Sequence, residues 1–144
     1  MKRRKAREYI LQFLYRADFT GSAKGSLGGQ ELSQALSDFW AEAGEADPKI
    51  RAFTEEIITG TIQHLAEIDS LIQKVAEKWK LSRMATIDRN IMRSAVYELL
   101  FRKDIPKAAT INEALEIAKK YSTAESAAFI NGILDKIAKS KDQS

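Results

Sequence analysis

Residues 86–100 read TIDRNIMRSAVYELL, and this stretch gives the strongest indication of the fold. Its apolar residues recur with the period of an α-helix and cover more than one side of it: Ile87, Ile91, Met92, Ala95, Val96, Leu99 and Leu100. The spacing predicts a buried, central helix with Thr86 as its cap and Asp88 in its first turn. The Asp-Ile-Pro sequence at residues 104–106 ends that helix.

The same helical period recurs elsewhere, and no stretch alternates apolar and polar residues for long enough to predict a strand. A first helix is predicted over residues 2–17. A second is predicted over residues 31–43, with an apolar face made of Leu32, Leu36, Phe39 and Trp40. Asp47 followed by Pro48 predicts the N-cap and first residue of a third helix, because proline lacks only an N–H that would be unpaired there.

The later helices are predicted from one apolar stripe and two capping patterns. A fourth helix, continuous or nearly so with the third, carries a stripe made of Ile68, Leu71, Ile72, Val75 and Trp79. Thr110 with Glu113, and Ser122 with Glu125, form capping-box pairs that predict two more helix starts. The sequence therefore predicts an all-α fold, a single compact bundle of about seven helices.

Length and composition exclude several classes of protein. The 144 residues fit one domain, 1–144, in which residues 20–29 form a flexible glycine-rich loop and residues 140–144 are frayed. Cysteine is absent and His64 is the single histidine, so we expect no disulfide, no metal, no cofactor and no enzymatic activity. The apolar runs are too short to cross a bilayer, and we expect a cytoplasmic protein without a membrane partner.

Positive charge is concentrated at the N-terminus. The whole chain has 23 basic and 20 acidic residues, but five of the six residues from 2 to 7 are basic: Lys2, Arg3, Arg4, Lys5 and Arg7. Cations at the start of a helix oppose its dipole, and like charges three or four residues apart repel, so this cluster is unfavourable for stability. Either it is a solvated tail, or an anionic partner such as RNA or a lipid surface neutralises it.

Two aromatic residues lie off the apolar stripes of their helices. Tyr15 projects away from the stripe of the first helix, which predicts a half-exposed ring. Phe129 lies roughly 90° from the stripe of the last helix, on a flank with Glu125, Gly132 and Lys136. That stripe consists of Ile130, Ile133, Leu134 and Ile137. From the pattern alone, Phe129 either packs beneath a neighbouring helix or is presented to a ligand.

The sequence resembles the NusB family from end to end, most specifically over residues 87–137. The motifs that carry the resemblance are Ala6-Arg7-Glu8, Leu14-Tyr15, Ile87-Asp88-Arg89, Ala95-Val96-Tyr97-Glu98-Leu99-Leu100, Asp104-Ile105-Pro106, Ile111-Asn112-Glu113-Ala114 and Phe129-Ile130-Asn131-Gly132-Ile133-Leu134-Asp135. The resemblance implies a seven-helix protein that binds the boxA element of ribosomal RNA leader transcripts. It also implies two partners, the small-subunit ribosomal protein NusE and the RNA polymerase antitermination complex.

The resemblance also implies which residues bind RNA. The basic head of the first helix takes that role, although Lys5 stands where arginine is common in the family. The family's tyrosine, two acidic residues and phenylalanine map onto Tyr15, Asp88, Glu125 and Phe129. The implied RNA-binding set is Lys2, Arg3, Arg4, Lys5, Arg7, Tyr15, Asp88, Glu125 and Phe129. Single-stranded RNA is the expected target, because its unstacked bases can meet aromatic rings directly.

Two other interpretations remain open from the sequence. The chain could be a helical protein-interaction module whose basic tail is only solvated. It could also be a stand-alone relative of the helical domain that precedes the catalytic domain of certain RNA cytosine methyltransferases. We expect no such catalysis from it, because it has no cysteine and no methyl-donor-binding domain.

Overall fold

The computed structural model describes residues 2–19 and 29–142. Over these residues the chain forms seven α-helices and no strand, which confirms the predicted all-α class. The helices are α1 (Lys2–Phe19), α2 (Gly29–Ala43), α3 (Pro48–Gln63), α4 (Leu65–Ala76), α5 (Thr86–Phe101), α6 (Lys107–Tyr121) and α7 (Ala124–Asp142). The predicted glycine-rich loop lies outside the described residues except for Gly29, which begins α2, and so do the last two residues of the predicted frayed end.

The chain divides into two compact units, the first of which is Met1–Leu65. Within it, α1 packs along α3 and also contacts α2, where the rings of Phe13 and Phe39 meet edge to face with their centroids 5.6 Å apart. The buried hydroxyl of Thr54 donates to the carbonyl of Ile50 at 2.7 Å, so it keeps a hydrogen bond away from water. The apolar face predicted for α2 is buried as expected: Leu32, Leu36, Phe39 and Trp40.

The connection between α2 and α3 is short and well defined. Gly44 adopts φ +73°, a left-handed conformation that glycine takes without strain, and its N–H donates to the carbonyl of Trp40 at 2.9 Å. Asp47 caps α3 as predicted, because its carboxylate accepts from the N–H of Lys49 at 2.8 Å and Pro48 occupies the first turn. This geometry fixes residues 44–47, which the basic head of α1 contacts.

The second unit, Ala66–Ser144, is built around α5. This helix packs against both α6 and α7, and it is buried on several faces as its sequence predicts. The stripe predicted for α7 is also buried. Polar pairs between described residues join α5 to each of three other helices, among them Arg93 with Asp69 of α4, Glu98 with Thr110 of α6, and Asp88 with Ser126 of α7.

The end of α4 differs from the prediction, which extended its apolar stripe to Trp79. The helix ends at Ala76 because Glu77 adopts φ +52°, a left-handed conformation that terminates helices even without glycine. Trp79 therefore lies outside the helix, and 63% of its surface is exposed.

The three predicted caps in this unit are also wrong. Thr110 lies inside α6, which already begins at Lys107 after Pro106, and its hydroxyl donates to Glu98 at 3.1 Å instead of capping a helix. Before α7 the capping oxygen belongs to Thr123 and not to Ser122, since it accepts from the N–H of Ser126 at 2.9 Å. The residue Thr86 is the first of α5, and Ala85 occupies the N-cap position.

Candidate nucleic-acid interface

Carboxylates of the first unit partly neutralise the basic head of α1. The ammonium of Lys2 lies 3.2 Å from Asp47, and that of Lys5 lies 2.9 Å from Glu45. Both lysine side chains remain more than half exposed, at 62% and 57%, so each ammonium can still meet a ligand. The unfavourable placement of these cations is therefore reduced within the protein, without any partner.

Glu45 lies at the centre of this arrangement. Its carboxylate accepts from Lys5, from the backbone N–H of Asp47 at 3.0 Å and from the hydroxyl of Tyr9 at 3.0 Å. The hydrogen bond from Lys5, followed by that from the Asp47 N–H, lowers the pKa of Glu45 to about 2. In turn, the hydrogen bond to Glu45 raises the pKa of Lys5 above its usual value. These shifts extend the pH range over which both groups are charged, to lower pH for Glu45 and to higher pH for Lys5.

Two arginines of the cluster lie over one aromatic ring. The guanidinium carbons of Arg3 and Arg7 lie 5.1 Å and 5.4 Å from the centroid of the Phe53 ring, on α3. Arg7 is 9% exposed, whereas Arg3 is exposed and Arg4 is half-buried. Because guanidinium groups stack favourably on aromatic faces, Phe53 fixes the direction of two cations that the sequence alone left undirected.

Tyr15 occupies the position that the sequence predicts for a half-exposed ring. It is 38% exposed on α1. The next residue, Arg16, pairs with Glu42 of α2 at 3.1 Å. Because its ring is partly exposed, Tyr15 presents an aromatic surface on the same helix as the basic head.

In the second unit, Phe129 is half-buried and its ring meets that of Trp79 edge to face. The centroids lie 6.0 Å apart and the planes are inclined by 80°. The sequence pattern does not identify Trp79 as a candidate site residue, because its spacing places it in the buried apolar stripe predicted for the fourth helix. The flanking lysines, Lys78 and Lys80, were the signal that could have identified it, since a ring between two cations is unusual for a core position.

The two rings line a groove of about 700 Å³, called here the Trp79 groove. Its other walls carry three basic and two acidic side chains, one serine and two apolar residues: Lys78, Lys80, Arg83, Asp88, Glu125, Ser126, Met84 and Ala85. A second groove of about 350 Å³ shares Lys78, Trp79 and Phe129 with it and also contains Gly132 and Lys136. A Cβ at Gly132 would meet nothing within 4 Å, so the backbone itself forms the surface there.

The two acidic residues of the implied RNA-binding set have different environments. Asp88 is 7% exposed, and one of its carboxylate oxygens accepts from the hydroxyl of Ser126 at 2.6 Å. Its other oxygen is buried and has no hydrogen-bond partner among the described residues. Glu125 is exposed in the first turn of α7. The contact of Asp88 with Ser126 therefore orients the turn that carries Glu125.

The described residues of each unit bring part of the implied set together. In the first unit, the basic head of α1 lies against residues 45–53, and in the second unit Asp88, Glu125 and Phe129 line one groove. No three His, Asp or Glu side chains within 2–19 and 29–142 form a group that could hold a metal ion. Across the same ranges, none of the helices has both the length and the apolar character that a membrane crossing requires.

These features define a class: an all-helical protein whose two units each combine cations with aromatic rings. The chain belongs to the NusB family, whose family model matches residues 4–139. The transcription antitermination protein NusB of Thermodesulfovibrio yellowstonii is 54% identical over 140 residues, which cover 96% of this chain and 93% of that protein. The NusB protein of Desulfitobacterium hafniense (strain DSM 10664 / DCB-2) is 47% identical, covering 97% of this chain and 90% of the relative.

Solved structures agree with this assignment. The structure of T. maritima NusB is 42% identical and superposes with a TM-score of 0.81, covering 95% of this chain and 90% of the other. A chain in the crystal structure of antitermination factors NusB and NusE in complex with dsRNA superposes with a TM-score of 0.82. It is 24% identical, covers 96% of this chain and 97% of its own length, and supports the fold.

Proposed function

We propose that this chain is a non-catalytic, RNA-binding transcription antitermination factor of the cytoplasm. It binds the boxA element of ribosomal RNA leader transcripts together with NusE, as part of the RNA polymerase antitermination complex. The observation that carries this proposal is the 54% identity, over nearly the whole chain, with a protein named transcription antitermination protein NusB. The crystal structure of antitermination factors NusB and NusE in complex with dsRNA supports the choice of NusE and an RNA as partners.

In this proposal the basic head of α1 contacts RNA phosphates. The participating residues are Lys2, Arg3, Arg4, Lys5 and Arg7. The stacking of two guanidiniums on Phe53 supports the role, because a cation that is already oriented loses less side-chain entropy when it binds a phosphate. Lys2 and Lys5, whose side chains are more than half exposed although each ammonium has a carboxylate partner, add positive charge beside the arginines.

The remaining residues of the proposed set contact bases or shape the surface. The rings of Tyr15 and Phe129 stack on unpaired bases, which favours single-stranded RNA as the target. Glu125 is exposed and can accept from the amino group of a base. Asp88 is buried, so its proposed contribution is to orient Ser126 and the first turn of α7 next to the bound RNA.

A titration of boxA RNA tests the proposal. A labelled single-stranded boxA RNA and a scrambled RNA of equal length are titrated with the chain, with and without NusE, at several salt concentrations. We expect tighter binding of boxA and a log-log salt slope of about −0.7 for each phosphate contacted. Equal and weak binding of both RNAs, even with NusE present, would contradict the proposal.

The protein-interaction module remains the second candidate, and one observation favours it. Lys2 and Lys5 already have carboxylate partners within the protein, so part of the basic cluster has a structural role. This candidate predicts binding to NusE without any contribution from RNA. The same titration separates the two candidates, because only the first requires RNA affinity that depends steeply on salt.

A further inference from the structure

Trp79 combines high exposure with a fixed backbone. The side-chain amide of Gln73 bridges the segment around it, donating to the carbonyl of Trp79 at 2.9 Å and accepting from the N–H of Leu81 at 2.8 Å. The N–H of Trp79 donates to the carbonyl of Ala76 at 3.2 Å. A large apolar ring is thus held at the surface, 63% exposed, by hydrogen bonds on both sides of it.

The surroundings of the ring favour a nucleic acid as its ligand. Lys78, Lys80 and Arg83 are all exposed and line the same groove. Sites for single-stranded nucleic acid combine rings that stack on bases with cations that follow the phosphates. The groove volume of about 700 Å³ lies within the roughly 300–1,000 Å³ of clefts that hold small ligands.

We propose that Trp79 is a base-stacking residue and that the Trp79 groove holds an unpaired nucleobase of single-stranded RNA. In this arrangement the base lies on the face of Trp79, while Lys78, Lys80 and Arg83 contact the flanking phosphates. The inference rests on the proposed function and extends it to a ring outside the set implied by the family resemblance. Because the planes of Trp79 and Phe129 are inclined by 80°, one flat base cannot stack on both, and each ring takes a separate base.

The experiment compares Trp79→Ala and Trp79→Phe with Tyr121→Ala, which truncates an exposed ring of α6 that does not line the groove. Affinity is measured with the same labelled single-stranded boxA RNA, and thermal unfolding is measured for every variant. We expect Trp79→Ala to weaken binding about fivefold or more. Trp79→Phe should retain most of the affinity because it keeps a ring, and Tyr121→Ala should bind as the unaltered chain does.

Tryptophan emission gives a readout that a purely structural role would not change. The chain has two tryptophans, and Trp40 is 5% exposed whereas Trp79 is 63% exposed. Stacking of a base on Trp79 should quench the emission of the exposed ring when the same RNA is added. In Trp79→Phe the quenching should disappear while binding persists.

Each failure has a separate meaning. If the unaltered chain binds no RNA, the proposed function fails and the inference fails with it. If that chain binds RNA while Trp79→Ala binds equally well and no quenching occurs, the inference alone is overturned. Weaker binding of Trp79→Ala to NusE, with unchanged RNA affinity, would also overturn it and would assign the face to a protein partner. Equal destabilisation and weakening by Trp79→Phe and Trp79→Ala, without quenching, would show that the ring is structural.

Discussion

The head of α1 and the Trp79 groove both combine cations with aromatic rings, but they differ in whether the ring is buried beneath the cations or exposed between them. At the head of α1 the ring of Phe53 is buried, and the guanidiniums of Arg3 and Arg7 lie over it. In the groove, the ring of Trp79 is at the surface and the lysines flank it. The first region therefore presents charge in fixed directions, and the second presents an apolar face between charges.

This difference separates two kinds of RNA contact. A region that presents oriented cations should contribute affinity that falls with salt and depends little on the bases. The stacking of bases on rings should contribute affinity that is nearly independent of salt and requires unpaired bases, while the cations beside the rings add a salt-dependent part. Variants in the two regions should therefore change different measured quantities.

The largest effect is expected from the triple variant Arg3→Gln, Arg4→Gln and Arg7→Gln. Loss of three phosphate contacts should reduce the salt slope by about 2 and weaken boxA binding roughly 100-fold at 0.1 M salt. The measurement is a set of RNA titrations at several salt concentrations. A control of equal charge change replaces Lys119, Lys120 and Lys139 by Gln and should leave the slope nearly unchanged. A slope unaffected by the arginine variant would mean that the head of α1 does not contact phosphates.

Phe129→Ala should have the next largest effect, about 1–3 kcal/mol of RNA affinity, if the ring stacks on a base. The salt slope should stay the same, because no charge is removed. RNA titration and thermal unfolding are measured together. A large loss of folding stability with no separate loss of affinity would mean that Phe129 only packs in the protein.

Arg7→Ala should destabilise the fold by about 1 kcal/mol, because the guanidinium is mostly buried over Phe53. Arg3→Ala, which removes an exposed guanidinium from the same ring, should cost less. Urea unfolding of both variants gives the comparison. Equal losses would mean that the burial of Arg7 over Phe53 adds no stability beyond that from the exposed Arg3, which would contradict this prediction.

The smallest effect concerns acid stability. The pKa of Glu45 in the folded protein is about 2, below its usual value, so folding favours the carboxylate form. The resulting stability is present above a pH of about 4.5 and is lost as the pH falls towards 2. Glu45→Gln should therefore remove part of the acid dependence of the melting temperature between these values. Lys5→Gln should reduce the same part because Lys5 is the main cause of the shift, and unchanged profiles in both variants would contradict this account.

Helix faces were predictable from the sequence because their spacing is set by the geometry of the α-helix itself. The buried face of α2, the Asp47 cap and the multiply buried α5 were all predicted correctly. Caps were less predictable, because a Thr-x-x-Glu pattern fits both a helix start and a helix interior. Thr110 belongs to the interior, where its hydroxyl meets Glu98, and that partner lies 12 residues away in the sequence.

The candidate site was predictable where it depends on local sequence and less so where it depends on tertiary contacts. The basic head of α1 and the half-exposed Tyr15 follow from composition and helical projection. The support of the arginines by Phe53 joins α1 to α3, and no local pattern indicates it. Trp79 was missed because a left-handed Glu77 ends α4, and glutamate gives no signal for that conformation.

Gly132 makes α7 less stable than it would be with alanine at the same position. Alanine is favoured over glycine inside a helix by about 1 kcal/mol, and a methyl group at this position would meet no neighbour within 4 Å. The helix can therefore be strengthened at this point without repacking any side chain. Gly132 lines the second groove together with Phe129. For protein engineering, a Cβ added at this position should therefore both stabilise α7 and change the shape of the surface beside Phe129.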